Sequence, residues 1–262
     1  MSEAVLSAVI QGHARTLKMP TIGREHAAVA RRARQEDWSF EEFLREVLEL
    51  EIRNRHDNVA RRLLRQAMFP DVKTFDQIEW SDLRGIARGK MHELATGQFM
   101  DKAEDVVIAG PIGTGKTHLA IALGVEATRR RRAVIFRKAA DLVRELMEAR
   151  DDRTLSRLHR RYTRVPLLIV DELGFVPFKR DGGELLFNLL ADRYERVSTL
   201  VTTNLSFSEW VQVFGDEKLT TALLDRLAHH SHILTTTGKS YRTGRGRRPG
   251  DEEKGGEPCG TK

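Results

Sequence analysis

The most informative residues are 110–117, which read Gly-Pro-Ile-Gly-Thr-Gly-Lys-Thr. The mostly apolar run Asp105–Ala109 stands directly before them, so a glycine-rich loop lies where a strand turns into a helix. Glycine adopts positive φ without strain, which lets backbone N–H groups face phosphate oxygens at the helix start. Lys116 would then reach the terminal phosphates, and Thr117 would offer its hydroxyl to Mg²⁺. The loop therefore predicts a site for a nucleoside triphosphate.

A second chemical element is formed by residues 167–172, which read Leu-Leu-Ile-Val-Asp-Glu. An unbroken apolar run ending in carboxylates is typical of a buried parallel strand whose tip opens into a site. Asp171 would hold hydrated Mg²⁺, and Glu172 would orient or deprotonate an attacking water, as hydrolases require. Alone, such a pair is also typical of a helix N-cap or a surface turn. Together with the phosphate loop it favours ATP hydrolysis.

Two further polar residues are candidates for the same chemistry. Residues 199–204 end a strand with Thr-Thr-Asn, so Asn204 could lie beside the attacking water or could serve as a turn or cap residue. Arg226 follows Leu219, Ala222 and Leu223 on the apolar face of a helix. It could form a salt bridge, or it could act as an arginine finger in the nucleotide site of a neighbouring subunit.

The positive charge is localised. The chain carries a net charge of +6, yet residues 129–164 contain thirteen Lys or Arg against five Asp or Glu. Within this region, residues 152–164 are compatible with a helix that has an apolar face at Leu155, Leu158 and Tyr162. Its opposite face would carry Arg153, Arg157, Arg160, Arg161 and Arg164. This face is either a solvated surface or a contact for the phosphate backbone of DNA.

Bulk composition narrows the class of protein. With 262 residues and 40% apolar residues, the chain can hold one nucleotide-binding domain and an appended module. No apolar run is long enough to span a membrane, and residues 1–21 lack the order of a signal peptide. The single cysteine, Cys259, is compatible with a reducing compartment. We therefore expect a cytoplasmic protein without a membrane partner.

The pattern along the chain predicts three regions. Residues 1–75 are expected to form a small helical module, in which Ser39 and Glu42 make a capping box. A first apolar stripe follows at helical spacing, formed by Phe40, Phe43, Leu44, Val47 and Leu48. A second apolar stripe at residues 60–68 is expected to run until Pro70 ends its helix. Residues 76–242 contain alternating strands and helices, which predicts a parallel sheet with helices on both faces. The expected strands are residues 105–110, 133–137, 167–172, 199–204 and 232–236. Residues 243–262 are expected to be a disordered tail.

These motifs together resemble the IstB-like transposition helper ATPases, relatives of the DnaC-type helicase loaders within the AAA+ superfamily. The similarity extends to residue 242. Its motifs are residues 43–44, 67–74, 110–120, 168–174, 186–187, 193–195, 202–204, 210, 214–216, 224–227, 229–230 and 240–242. Ile112 stands where such loops often have proline, a position that is not one of the glycines.

The resemblance implies an α/β AAA+ P-loop domain, preceded by a helical module and lacking a C-terminal lid. It implies ATP-dependent self-assembly on duplex DNA and delivery of that DNA to a partner transposase. It makes Glu172 the residue that acts on the attacking water and Asn204 the sensor residue. Arg226 becomes the arginine finger acting in trans, and Thr117 and Asp171 become the Mg²⁺ ligands. The nucleotide contacts would be Gly110, Pro111, Ile112, Gly113, Thr114, Gly115, Lys116, Thr117 and His118. It favours the arginine face of residues 153–164 as the DNA contact.

Two other functions remain open from the sequence. A replicative helicase loader would share the ATPase core but would use its N-terminal module to hold a helicase and would prefer single strands. A nucleotide-dependent adaptor would bind ATP but scarcely hydrolyse it. Preference for duplex DNA separates the first alternative from the transposition helper, and a hydrolysis assay separates the second.

Overall fold

The computed structural model describes residues 2–175 and 178–238, which form two compact units. The first unit is Met1–Leu63 and the second is Leu64–Lys262. The boundary predicted at residue 75 therefore lies within the second unit, where Ala67 and Phe75 belong to the buried core. The predicted tail of residues 243–262 lies outside the described residues.

The first unit is helical. It contains α1 (Glu3–Thr16), α2 (Pro20–Gln35) and the beginning of α3 (Phe40–Ala67). The predicted capping box is present, since the Ser39 N–H donates to Glu42 at 2.8 Å and the Glu42 N–H donates to Ser39 at 3.1 Å. The two predicted apolar stripes belong to one continuous helix. The helix is continuous because nothing between the stripes interrupts the backbone hydrogen bonds. It ends at Ala67, before Pro70.

The second unit alternates strands and helices after two short helices. Its helices are α4 (Arg88–Ala95), α5 (Gln98–Asp101), α6 (Lys116–Arg129), α7 (Ala139–Asp151), α8 (Leu155–Arg164), α9 (Arg180–Arg193), α10 (Trp210–Phe214) and α11 (Glu217–His229). Its strands are β1 (Asp105–Ala109), β2 (Val134–Lys138), β3 (Leu167–Leu173), β4 (Ser198–Thr203) and β5 (Ser231–Thr235). Short 3₁₀ helices occupy Phe75–Gln77 and Phe207–Glu209. All five predicted strands are confirmed, with ends that differ by one residue at most.

The five strands form one parallel sheet in the order β2-β3-β4-β1-β5. Alternate residues of β1 enter different cores, since Val106 packs with the cluster containing Leu119 and Val107 packs with the cluster containing Leu142. Helices therefore cover both faces, as the predicted fold class requires. Because all strands are parallel, their carboxyl ends lie at one edge of the sheet. Among the residues described, no helix combines the length and hydropathy needed to cross a lipid bilayer.

Candidate nucleotide-binding site

The glycine-rich loop joins the carboxyl end of β1 to the first turn of α6, as its sequence predicts. Gly110, Gly113 and Gly115 have φ values of 144°, 82° and 89°, a region that other residues rarely adopt. The Lys116 ammonium donates to the carbonyl oxygens of Gly110 at 2.7 Å and Pro111 at 2.6 Å. The loop thus places a cation and the amino end of a helix together, an arrangement that suits an anion.

The tip of β3 places Asp171 directly against Thr117. The Thr117 hydroxyl donates to the two carboxylate oxygens of Asp171 at 2.9 and 3.1 Å, and the Thr202 hydroxyl donates to Oδ1 at 2.5 Å. Burial raises the pKa of Asp171, and the hydrogen bonds from Thr202 and Thr117 oppose that rise. A carboxylate beside a hydroxyl supplies the oxygen ligands that Mg²⁺ prefers, so these residues fit the ion.

Glu172 occupies a distorted position at the end of β3. Its φ is 59°, and the pairing of β3 with β4 shifts register between Val170 and Leu173. The Glu172 N–H donates to the Thr202 hydroxyl at 2.9 Å, which holds the bulge in place. A bulge of this kind redirects a side chain that regular pleating would aim elsewhere.

The Glu172 carboxylate forms an ion pair with Lys138, whose ammonium lies 2.9 Å from Oε2. The hydrogen bond to Glu172 raises the pKa of Lys138. Sequence reasoning missed Lys138. It is the last residue of β2, and it becomes a neighbour of Glu172 only because β2 pairs with β3 in the sheet.

A cavity of about 610 Å³ opens over the phosphate loop and the sheet edge. Of the residues predicted for the site, Ile112, Gly113, Thr114, Gly115, Lys116, Thr117, His118, Glu172 and Asn204 line it. Gly110, Pro111 and Asp171 do not line the cavity, although Gly110 and Pro111 bind Lys116 and Asp171 binds Thr117.

A further wall of this cavity comes from residues 70–83, which carry none of the catalytic motifs. The lining residues here are Pro70, Asp71, Lys73, Gln77, Ile78, Glu79, Asp82 and Leu83. The His118 ring lies 3.1 Å from the carbonyl oxygen of Thr74, so the first turn of α6 holds this segment in place. The one sequence signal for this wall was the resemblance of residues 67–74 to the family.

Arg226 lies at the other edge of the sheet. It lines a small crevice with Asp105 and Thr199, which stand at the amino ends of β1 and β4. Its guanidinium carbon is 5.9 Å from the ring centroids of both Phe187 and Tyr194. Within one chain, the structure therefore does not bring Arg226 together with Lys116.

Helix α8 has the two faces that its sequence predicts. Tyr162 is fully buried and donates its hydroxyl to Glu145 at 2.5 Å, while Leu155 and Leu158 are partly buried. The predicted arginines, Arg153, Arg157, Arg160, Arg161 and Arg164, are all exposed. Helices α7 and α9 pack against α8. The arginine face lies outside the set of residues that line the cavity. Arg242, the last residue of the resemblance to the family, lies outside the described residues.

Comparisons with known proteins identify related sequences. The family model described as IstB-like ATP binding protein matches residues 12–248. An ATP-binding protein of insertion sequence IS21 from Pseudomonas aeruginosa is 38% identical over 234 residues, which cover 89% of this chain and 88% of that protein. The corresponding protein of IS5376 from Geobacillus stearothermophilus is 35% identical over 233 residues, covering 89% and 93%.

Solved structures share the fold at low sequence identity. The crystal structure of DnaI has a TM-score of 0.54 at 22% identity, and the match covers 68% of this chain and 94% of the DnaI chain. AMPPCP-bound DnaA from Aquifex aeolicus has a TM-score of 0.52 at 20% identity, covering 67% and 53%. These similarities, with the parallel sheet and the phosphate loop, confirm the expected AAA+ P-loop fold.

Proposed function

Because the chain belongs to the family of IstB-like ATP binding proteins, we propose that it is a cytoplasmic, ATP-hydrolysing helper of transposition. It assembles with copies of itself on duplex DNA when ATP is bound, and it delivers that DNA to a transposase. The observation that carries this proposal is the contact between Thr117 and Asp171 beneath the phosphate loop, with Glu172 on the same cavity. That set of groups suits Mg²⁺-dependent hydrolysis of a nucleoside triphosphate.

Residues of the loop would bind the nucleotide. Lys116, which now donates to two neutral carbonyl oxygens, would turn to the phosphates, where a charge-assisted hydrogen bond is stronger. Thr117 and Asp171 would hold Mg²⁺. The ion would neutralise charge that develops on the phosphate oxygens during transfer.

Glu172 and Asn204 would act on the attacking water. Both residues line the cavity. Glu172 lies near the carboxyl end of β3, and Asn204 directly follows the neighbouring strand β4. Glu172 accepts a hydrogen bond from the water and can take its proton, while Asn204 orients it. For this step, Glu172 has to leave its ion pair with Lys138.

Arg226 would complete the site of a neighbouring subunit. Its place at the amino edge of the sheet, with the phosphate loop at the carboxyl edge, supports a role in trans. An arginine supplied by a neighbour stabilises the charge of the transition state. Hydrolysis would then require assembly.

The exposed arginine face of α8 would contact DNA. A row of guanidinium groups fixed on a helix that is anchored by Tyr162 suits a phosphate backbone. The names of the relatives, which place them in insertion sequences, support a role in transposition. The second candidate is a helicase loader, which would prefer single-stranded DNA; the fold shared with the crystal structure of the DnaC helicase loader supports it.

The proposal is tested by measuring ATP binding, ATP hydrolysis and assembly on duplex DNA. Lys116→Ala should abolish ATP binding and, with it, the assembly of that variant by itself, because the loop loses its cation for the terminal phosphates. Glu172→Gln should keep ATP binding, stall hydrolysis and trap the assembled form. Lys90→Ala, which removes an ammonium that pairs with Glu93 on α4, is the control and should retain wild-type behaviour. Unchanged ATP affinity in Lys116→Ala, or wild-type turnover in Glu172→Gln, would contradict the proposal.

A further inference from the structure

A buried threonine outside the phosphate loop contacts the loop directly. Thr236 follows β5 and is fully buried, and its hydroxyl oxygen lies 2.7 Å from that of Thr114, 122 residues earlier in the chain. Thr114 is itself buried and belongs to the loop. Two hydroxyl oxygens at this distance share a hydrogen bond.

Carbonyl oxygens of the loop and of β1 also lie within reach of the two hydroxyls. The Thr114 hydroxyl donates to the carbonyl oxygen of Pro111 at 2.8 Å. The Thr236 hydroxyl lies 3.1 Å from the carbonyl oxygen of Ala109, which also accepts the Thr236 N–H at 2.8 Å. The two threonines and these two carbonyls therefore form one hydrogen-bonded network, whichever hydroxyl donates to the other.

The network includes a carbonyl oxygen to which Lys116 also donates. The Pro111 oxygen accepts both the Thr114 hydroxyl and the Lys116 ammonium. When Lys116 turns to a phosphate, the Thr114 hydroxyl still holds that carbonyl. The loop therefore keeps its peptide groups oriented while its cation changes partner.

Thr236 also lies very close to the backbone of Gly110. A Cβ atom placed on Gly110 would lie 2.2 Å from the Thr236 hydroxyl oxygen and 2.3 Å from the Thr236 carbonyl oxygen. Thr236 thus touches the loop at Gly110 and at Thr114. Both contacts belong to a residue that the sequence motifs do not mark.

We propose that Thr236 is a positioning residue for nucleotide binding, whose hydroxyl holds the phosphate loop in its binding conformation through Thr114. The inference rests on the proposed function, because it assumes that this loop binds ATP. Thr236 acts through Thr114 and needs no contact with the nucleotide. Its loss is expected to weaken ATP binding and to leave the chemical step unchanged.

The test compares variants that differ in the hydroxyl alone. Thr236→Val keeps the shape and removes the hydroxyl, whereas Thr236→Ser keeps the hydroxyl. Thr128→Val is the matched control, because it removes a buried hydroxyl that binds the Val125 carbonyl at the far end of α6. ATP affinity in the presence of Mg²⁺ is measured by calorimetry on the full chain, and KM and kcat are measured for hydrolysis.

Thr236→Val is expected to weaken ATP binding and to raise KM by about tenfold, the equivalent of one buried hydrogen bond, with kcat unchanged. Thr236→Ser and Thr128→Val should bind ATP as the wild type does. Adding Thr114→Val to Thr236→Val should cost less than the sum of the two single losses, because both changes remove the bond between the two hydroxyls. If Thr236→Val does not fold, Thr114→Val removes the same contact together with the bond to Pro111 and should show at least the same loss.

Wild-type affinity in the folded Thr236→Val protein would overturn the inference, and so would equal losses in the Val and Ser variants. Lys116→Ala separates this failure from failure of the proposed function. If Lys116→Ala loses ATP while Thr236→Val keeps it, only the role of Thr236 is wrong. If Lys116→Ala also keeps ATP, the proposed site itself is wrong.

Discussion

At the scale of single residues, the site is governed by pairs of side chains from neighbouring strands. Glu172 meets Lys138 across β3 and β2, and Asp171 meets Thr202 across β3 and β4. The pair of Glu172 and Lys138 is partly exposed, so its strength is modest. In the proposed mechanism, this pair has to open before Glu172 can act on the attacking water.

Lys138→Met should therefore raise basal ATP hydrolysis severalfold in the absence of DNA, because Glu172 no longer has a competing cation. ATP affinity should stay near that of the wild type, since Lys138 does not line the cavity. The rate of phosphate release is the measurement. Arg144→Ala, which removes an exposed cation paired with Asp141 on α7, is the control and should leave the rate unchanged. A lower rate in Lys138→Met would show that Lys138 assists hydrolysis.

Arg193 and Asp105 lie buried near the amino edge of the sheet. Arg193 is fully buried and donates to the carbonyl oxygens of Tyr162, Val165 and Ser198. Burial lowers the pKa of Arg193 to about 10, and burial also raises the pKa of Asp105 to about 6. The Thr199 N–H, Arg193 and His230 all oppose the rise at Asp105, so desolvation is the stronger effect.

The raised pKa of Asp105 predicts a pH dependence of stability. A carboxyl whose pKa is higher in the folded state stabilises the fold below its unfolded pKa, and this contribution is lost as pH rises through the folded pKa. Relative to Asp105→Asn, the wild type should lose about 2 kcal/mol of unfolding free energy between pH 4 and pH 7. Denaturant unfolding of both proteins at the two pH values measures this difference. A constant difference would contradict the assigned shift.

At the scale of elements, α8 has a buried residue, Tyr162, on one face and exposed arginines on the other. Tyr162 packs beneath the helix, and its hydrogen bond to Glu145 adds to the effect of burial in raising its pKa. Glu145 also pairs with Arg137 of β2 at 3.2 Å. The helix is thereby tied to α7 and to the sheet, and its arginines are held on a rigid support.

Reversing Arg153, Arg157 and Arg160 to Glu should weaken duplex binding and lower the slope of log affinity against log salt by about 2.7, since each lost phosphate contact removes about 0.9. ATP affinity without DNA should survive, because the apolar face is unchanged. Titration of duplex DNA at several salt concentrations measures the slope.

The control for this prediction reverses three exposed arginines of α2 in the first unit, Arg24, Arg31 and Arg34. These changes should leave the salt slope intact. If the α2 variant loses the slope and the α8 variant keeps it, the DNA contact belongs to the helical unit.

At the scale of the whole molecule, the two halves of the proposed hydrolysis site lie at opposite edges of one sheet. Lys116 is at the carboxyl edge, and Arg226 is at the amino edge. The structure does not bring them together within one chain, but adjacent copies could. With Arg226 as the proposed finger, we expect hydrolysis to depend on assembly.

Arg226→Ala should reduce hydrolysis by about 10³-fold and leave ATP binding by the monomer intact. Mixing it with Lys116→Ala should restore part of the activity, because some neighbours combine one intact loop with one intact arginine. Phosphate release from the mixture measures the recovery. As a control, mixing Lys116→Ala with a chain that carries both changes should restore nothing, since no complete site can form. No recovery in the first mixture, with co-assembly demonstrated, would favour a structural role for Arg226 against Phe187 and Tyr194.

The sequence by itself determined the features that depend on neighbouring residues. The phosphate loop, the run ending in Asp171 and Glu172, all five strands and the two faces of α8 follow from local spacing, because glycine conformation, hydrophobic periodicity and capping act over a few residues. The division of the chain at residues 63 and 64 did not follow from it, since a continuous helix carries no local signal there.

Only the tertiary structure decided which distant residues meet. The contacts of Lys138 with Glu172 and of Thr236 with Thr114, and the wall formed by residues 70–83, all depend on how the chain is arranged around the sheet. Strand order is set by the packing of both sheet faces against helices, a property of the whole core that no short segment contains. For that reason the motifs predicted the chemistry, whereas the residues that position them became visible only in the fold.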